Sequence, residues 1–134
     1  MGNVCHRWRG RVAFSDTDAS GRVHFSRVLG YVECAEHEFL EGCGIGVFGK
    51  EEGGWPRVKV SCDYKEALAF RDEVEVVLRV EKLGRSSVRW GFEIFKDEGV
   101  AVASGEMVTV RVDGAGAAVA IPAEERKVLE GGDE

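Results

Sequence analysis

The sequence is poor in the features that staple small proteins or carry them into a membrane. Of its 134 residues only four are cysteine (Cys5, Cys34, Cys43 and Cys62). They form no Cys-x-x-Cys pair, and no histidine stands near them at zinc-finger spacing. An even count alone does not make a disulfide framework, so these read as reduced thiols serving as small, mostly buried side chains. No apolar run approaches the roughly 20 residues needed to cross a bilayer, and no signal-peptide pattern opens the chain. A soluble, cytoplasmic protein without membrane insertion is expected. Positive charge is the third scarcity. Eighteen Lys and Arg face 24 Asp and Glu, for a net charge of −6, which argues against a role coating nucleic acid. A local basic cluster can still hold a phosphate.

What is present suits one globular domain. Hydrophobic residues make up 44% and charged residues 31% of the chain, enough for a core without disulfide or metal at this length. Val12-Ala13-Phe14 reads as a short first strand, followed by a run of turn formers from Ser15 to Gly21. Residues 26–43 then show helical spacing. Val28, Tyr31, Val32, Ala35 and Phe39 form one apolar stripe, with Glu33, Glu36, His37 and Glu41 mainly opposite. Ser26 is the expected N-cap. Gly30 costs this helix about 1 kcal/mol against alanine, which close packing against a sheet would explain.

After a glycine-rich link the period falls to two. Val58, Val60, Cys62 and Tyr64 alternate with polar residues, as do Val74, Val76, Leu78 and Val80. Val88, Trp90, Phe92 and Ile94 follow, then residues 100–112. Trp90, Phe92 and Phe95 are expected in the core. Short turns such as Leu83-Gly84-Arg85 join antiparallel neighbours. The fold class is therefore α+β, with one helix stripe buried on a one-sided antiparallel sheet. Residues 1–112 form the domain, and 113–134 a loose Gly/Ala/Glu-rich tail with a single helical turn. Sheet edges exposed in a monomer invite pairing, so a homodimer is expected.

The chemistry concentrates in Phe14-Ser15-Asp16-Thr17-Asp18-Ala19-Ser20-Gly21-Arg22-Val23-His24-Phe25-Ser26, between first strand and helix. Carboxylates just before a helix sit near unpaired backbone N–H groups and the positive end of the dipole. The same N–H groups can polarise a carbonyl as an oxyanion hole does. Spacing alone leaves two readings open: Asp16 and Asp18 shape a turn or cap the helix, or one of them is a reactive carboxylate beside an electrophilic site.

Asp-Thr-Asp-Ala-x-Gly-x-Val, then a helix bearing Tyr31, Glu33, Ala35, Glu38 and Leu40, resembles the 4-hydroxybenzoyl-CoA thioesterase family, nearest its YbgC/FadM-like acyl-CoA branch. The likeness continues through Trp55-Pro56-Arg57-Val58, Asp63-Tyr64-Lys65-Glu66-Ala67, Arg71-Asp72-Glu73-Val74 and Gly84-Arg85-Ser86-Ser87, covering residues 10 to 112. It implies a hotdog fold, a five-stranded antiparallel sheet wrapped around one long helix. It also implies homodimers and commonly homotetramers. The implied activity is hydrolysis of an acyl-CoA thioester with no metal and no cofactor beyond the coenzyme A of the substrate.

Carried over, the motif makes Asp18 the catalytic carboxylate, as nucleophile or as general base. The Phe25 backbone N–H would hold the thioester carbonyl, and Asp16 would support the loop. Lys82 and Arg85 match the region where relatives bind nucleotide phosphates. Arg57 and Lys59 are further phosphate candidates, and Tyr31 is a candidate lining of the acyl pocket. The sequence departs from the family where relatives often carry Tyr-His or Asn-Asn, for here stand His24 and Phe25. His24 either orients water or the carboxylate, or is simply exposed. Glu33 and Glu36 are minor candidates, since another hotdog branch uses a helix glutamate. Two alternatives stay open: a non-catalytic acyl-CoA-binding module, and a hotdog dehydratase or hydratase, for which the expected His and Pro spacing is missing.

Overall fold

The period-two stretches between residues 73 and 110 become three long strands joined by tight turns, and these set the frame for everything else. In the computed structural model, which describes residues 2–131, the elements run in the following order. They are β1 (Val4–Arg11), a 3-10 turn (Phe14–Asp16), α1 (Phe25–Gly42), β2 (Phe48–Gly49), β3 (Gly53–Gly54), β4 (Arg57–Tyr64), β5 (Glu73–Leu83), β6 (Ser87–Lys96), β7 (Val100–Val110) and α2 (Ala123–Leu129). The main sheet has the order β1-β5-β6-β7-β4, and β2 and β3 form a small separate ribbon. Every neighbouring pair in the main sheet is antiparallel. This is the five-stranded, one-long-helix arrangement expected of a hotdog fold.

One sheet face and one helix stripe bury each other. Val74, Val76 and Leu78 of β5 and Val88, Trp90, Phe92 and Ile94 of β6 point inward to meet Val28, Tyr31, Val32, Ala35 and Leu40 of α1. Trp90 keeps its indole N–H satisfied by donating to Thr109 Oγ1 at 3.0 Å, as a buried polar group must. Phe95, expected in the core, is only half-buried, because its position in β6 faces the opposite side from Ile94.

Several expectations need correction. The first strand is Val4–Arg11, not residues 12–14. His6, Trp8 and Gly10 alternate with Arg7, Arg9 and Arg11 along it, and Trp8 stacks on Tyr31 with ring centroids 5.8 Å apart. Phe14 lies beyond it, 74% exposed. Strand β4 is exposed along most of its length, with Val58 60% exposed. It is an edge strand, and α1 packs on β1 and β5 at the other side of the sheet. Gly30 meets nothing where a Cβ would lie, so close packing does not explain it. Glu36 is buried, at 1% exposure, rather than on the solvent side. The region after Asp113 is not a loose tail: α2 closes it, and Ile121 and Leu129 join the core. No disulfide joins the cysteines, and Cys34 is exposed rather than buried. No described helix is long and apolar enough to cross a membrane.

Candidate active site

The loop between β1 and α1 is fixed by backbone pairing at one end of the sheet. Val12 is buried; its N–H donates to the Asp72 carbonyl at 2.9 Å, and its own carbonyl accepts from Arg71 N–H at 3.1 Å. After the 3-10 turn the chain folds on itself. Thr17 pairs with Val23, Asp18 N–H donates to the Arg22 carbonyl at 2.9 Å, and Gly21 N–H to the Asp18 carbonyl at 2.9 Å. Gly21 closes this turn at φ +82°, a conformation that glycine adopts without strain. The far limb of the turn is pinned to the β4–β5 connection, through Val23 N–H to the Leu68 carbonyl at 2.8 Å.

The two aspartates have different surroundings. Asp16 is half-buried and accepts from the Tyr31 hydroxyl at 2.8 Å, which ties the loop to α1. Asp18 is exposed. Its Oδ1 accepts from Ser20 N–H at 2.8 Å and from Ser20 Oγ at 2.5 Å, while Oδ2 has no hydrogen-bond partner among the described residues. The Ser20 hydroxyl, followed by the Ser20 N–H, lowers the Asp18 pKa below the usual carboxylate value. As an exposed aspartate the carboxylate is ionised at neutral pH in any case, and Ser20 anchors one oxygen while the other is open.

The cap lies two residues earlier than the expected Ser26, and the helix starts at Phe25. His24 is the N-cap, its Nδ1 accepting from Ser26 N–H at 3.3 Å. Acceptance at Nδ1 puts the neutral ring's proton on Nε2. Phe25 is then the first helical residue, whose N–H has no carbonyl four residues back to pair with and lies at the positive end of the dipole. Its carbonyl accepts from the Tyr64 hydroxyl at 2.9 Å. Its ring is 65% exposed and meets Tyr64 edge-on, with centroids 6.5 Å apart. One loop therefore carries a carboxylate and leads into a helix-start backbone donor, kinds of group that attack and polarise a carbonyl, and His24 is near enough to Asp18 to help lower its pKa.

The other expected residues are elsewhere. The Tyr31 side chain is buried and its hydroxyl is engaged by Asp16, so it lines no open pocket. Arg57 is turned inward: one guanidinium nitrogen bonds Glu36, another lies 3.8 Å from Glu33, and Nε meets Met107 Sδ at 3.4 Å. It neutralises a buried carboxylate rather than awaiting a phosphate. Lys59 is exposed on the edge strand β4. Lys82 and Arg85 are exposed at the opposite end of β5 from the Asp18 loop. The nine steps from Glu73 to Lys82 span roughly 30 Å of strand, so they and Asp18 of one chain do not converge. Sequence reading missed the Ser20 clamp, although a serine two residues after an aspartate is its signal. It also missed Tyr64 and the Arg57–Glu36 pair, whose partners are distant in sequence. Among the described residues, no group of three or more His, Cys, Asp or Glu side chains could hold a metal ion.

Residues 12–129 match the thioesterase-like superfamily. This chain belongs to that superfamily. A protein of Aquifex aeolicus (strain VF5), named only provisionally as an esterase, is 36% identical over 124 residues, 91% of this thioesterase and 95% of that chain. The 1,4-dihydroxy-2-naphthoyl-CoA hydrolase of Synechococcus sp. (strain CC9605) is 33% identical over 76% of this chain and 73% of its own. Among solved structures, a thioesterase from Thermus thermophilus complexed with coenzyme A and zinc has a TM-score of 0.80 at 26% identity, covering 95% of this chain and 98% of that one. The fold, the family and the reaction class agree: the protein is a thioester hydrolase.

Proposed function

We propose that this thioesterase hydrolyses an acyl-CoA to free acid and coenzyme A, with Asp18 as the reacting carboxylate. The observation that carries the reading is the Asp18 carboxylate, one oxygen anchored by two Ser20 donors and the other open, in the loop that leads into the unpaired Phe25 N–H. In one route Asp18 Oδ2 attacks the thioester carbonyl, the C–S bond breaks, and the thiolate leaves; water then hydrolyses the mixed anhydride. In the other, Asp18 takes a proton from water as the hydroxide adds to the same carbon. Either way one water is consumed and its protons end on the thiol and the acid. His24, exposed at the helix start, is suited in its imidazolium form to give a proton to the thiolate and to regain one from the attacking water. No cofactor beyond the coenzyme A of the substrate enters this scheme.

Finer assignments follow the same line. The motif order favours the 4-hydroxybenzoyl-CoA and YbgC/FadM-like branch, and the naphthoyl-CoA relative favours an aryl acyl group. The uncovered β4 edge, with Val58 and Val60 outward, favours a homodimer formed along that strand, and a tetramer built from such dimers. Lys82 and Arg85 would then meet a coenzyme A phosphate only from another copy. Thiol release from a panel of straight-chain and aryl acyl-CoA thioesters is the test. Turnover of at least one member supports the reading. Tight binding with no turnover across the panel would replace it with a non-catalytic acyl-CoA-binding module.

A further inference from the structure

Strand β4 reaches helix α1 with a polar side chain at each of its ends. At its start Arg57 bonds the buried Glu36. At its far end the Tyr64 hydroxyl donates to the Phe25 carbonyl at 2.9 Å, and the two residues are 39 positions apart in sequence. The Tyr64 ring also meets the Phe25 ring edge-on, and the Phe25 ring in turn lies against the His24 imidazole, with centroids 4.6 Å apart. Stability is a poor account of this contact. Tyr64 is 45% exposed, and one neutral hydrogen bond adds only modestly to a fold. Its place at the first residue of the helix, beside the Asp18 loop, asks for another role.

The Phe25 carbonyl and the Ser26 N–H belong to one peptide unit, which is planar and rigid. Tyr64 holds its oxygen, and its N–H donates to His24 Nδ1 at 3.3 Å. The unit therefore lies between the phenol and the imidazole, and hydrogen bonds in such a series strengthen one another. Ser26 Oγ adds a second contact to His24 Nδ1 at 2.8 Å. A neutral ring accepts at Nδ1 from the Ser26 N–H, and a protonated ring donates from Nδ1 to Oγ. In both states Ser26 pins that edge of the ring and leaves Nε2 to exchange protons. We propose that Tyr64 is a positioning residue for the hydrolysis: through the Phe25–Ser26 peptide it sets the orientation of the His24 ring, and with it the proton transfers that His24 makes. This deepens the acyl-CoA hydrolase reading and rests on it.

The test is a double-mutant cycle on kcat and KM, with the acyl-CoA that the wild type turns over fastest. It compares wild type, Tyr64→Phe, His24→Asn and the double variant. Phenylalanine keeps the ring and its contact with Phe25 and removes only the hydroxyl. Asparagine keeps an N-cap for the helix and removes the imidazole. Tyr64→Phe should lower kcat about tenfold with KM held, the mark of a group that acts in the transition state through geometry. Its melting temperature should stay close to that of the wild type. In the His24→Asn background the same change should cost less than about twofold in kcat, because the group it positions is gone. A merely structural role for Tyr64 would lower kcat by the same factor in both backgrounds. An equal loss in both, a wild-type kcat in Tyr64→Phe, or a loss confined to KM overturns the proposal and leaves the hydrolase reading standing. Failure of the wild type to turn over any acyl-CoA overturns the reading and the proposal together.

Discussion

Arg57→Met is the perturbation whose size follows most directly from the structure. Glu36 is 1% exposed, and the Arg57 guanidinium is the cation bonded to it. Methionine keeps much of the side-chain length and packing but leaves the carboxylate buried without its counter-charge, a loss of about 3–5 kcal/mol. For a domain of this size that corresponds to a fall in melting temperature of roughly 11–18 °C. The effect must also depend on pH. Burial raises the Glu36 pKa above 4.5, with Arg57 the leading opposing influence. A carboxyl whose folded pKa is raised binds its proton more tightly in the native state. Stability from this group is therefore full below pH 4.5 and declines as pH rises through the folded pKa. Removing Arg57 pushes that pKa higher still, so the variant should lose least near pH 4 and most near pH 7.5. Denaturant titrations of wild type and variant at both pH values measure the difference. Replacing both partners, as Glu36→Leu with Arg57→Met, should recover most of the loss. A penalty below about 1 kcal/mol at pH 7.5, or the same penalty at both pH values, would refute the reasoning.

Two further outcomes follow from the loop. Ser20→Ala removes the largest influence lowering the Asp18 pKa, so the acidic limb of the kcat/KM profile for acyl-CoA hydrolysis should move to higher pH with little change in melting temperature. Tyr31→Phe deletes the donor to Asp16 without disturbing the stack on Trp8. A hydrogen bond to a charged group is worth about 1.5–3 kcal/mol, so denaturant unfolding should show a loss near the low end of that range, and kcat should fall as the loop loosens.

The parts of the fold that were legible are those whose burial is one-sided. In β5 and β6 alternate residues are fully buried, so period two stands out, and the stripe of α1 is as clear. β1 was not legible because its inward positions include His6 and Gly10, which carry no apolar signal. Gly10 is there because the Trp8 ring occupies the space a Cβ would take, 2.4 Å from Cη2. Glu36 reads as a solvent residue from helical spacing, and only the fold brings Arg57, 21 residues on, to neutralise it. The strand β4 alternates well in sequence yet is exposed, since alternation reports what a strand expects to cover it and one chain supplies no cover there. In the loop, the turn from Ser15 to Gly21 was legible from its run of turn formers, and the role of Asp18 stands on resemblance as a proposal. His24 as the cap was not legible, because serine is the commoner N-cap. The separation of Lys82 and Arg85 from Asp18 was invisible, as sequence carries no record of which end of a strand a turn occupies.

The central claim is that the Asp18 carboxylate performs the chemistry on a thioester. Thiol release by wild type and Asp18→Asn, on whichever acyl-CoA the wild type turns over fastest, tests it most directly. Asn keeps the shape and the Ser20 contacts at Oδ1 but can neither attack nor take a proton. The account predicts a folded variant with unchanged melting behaviour and a kcat roughly a thousandfold lower or more, on the order of losing a nucleophile or base. A folded Asp18→Asn protein that retains wild-type kcat would contradict it.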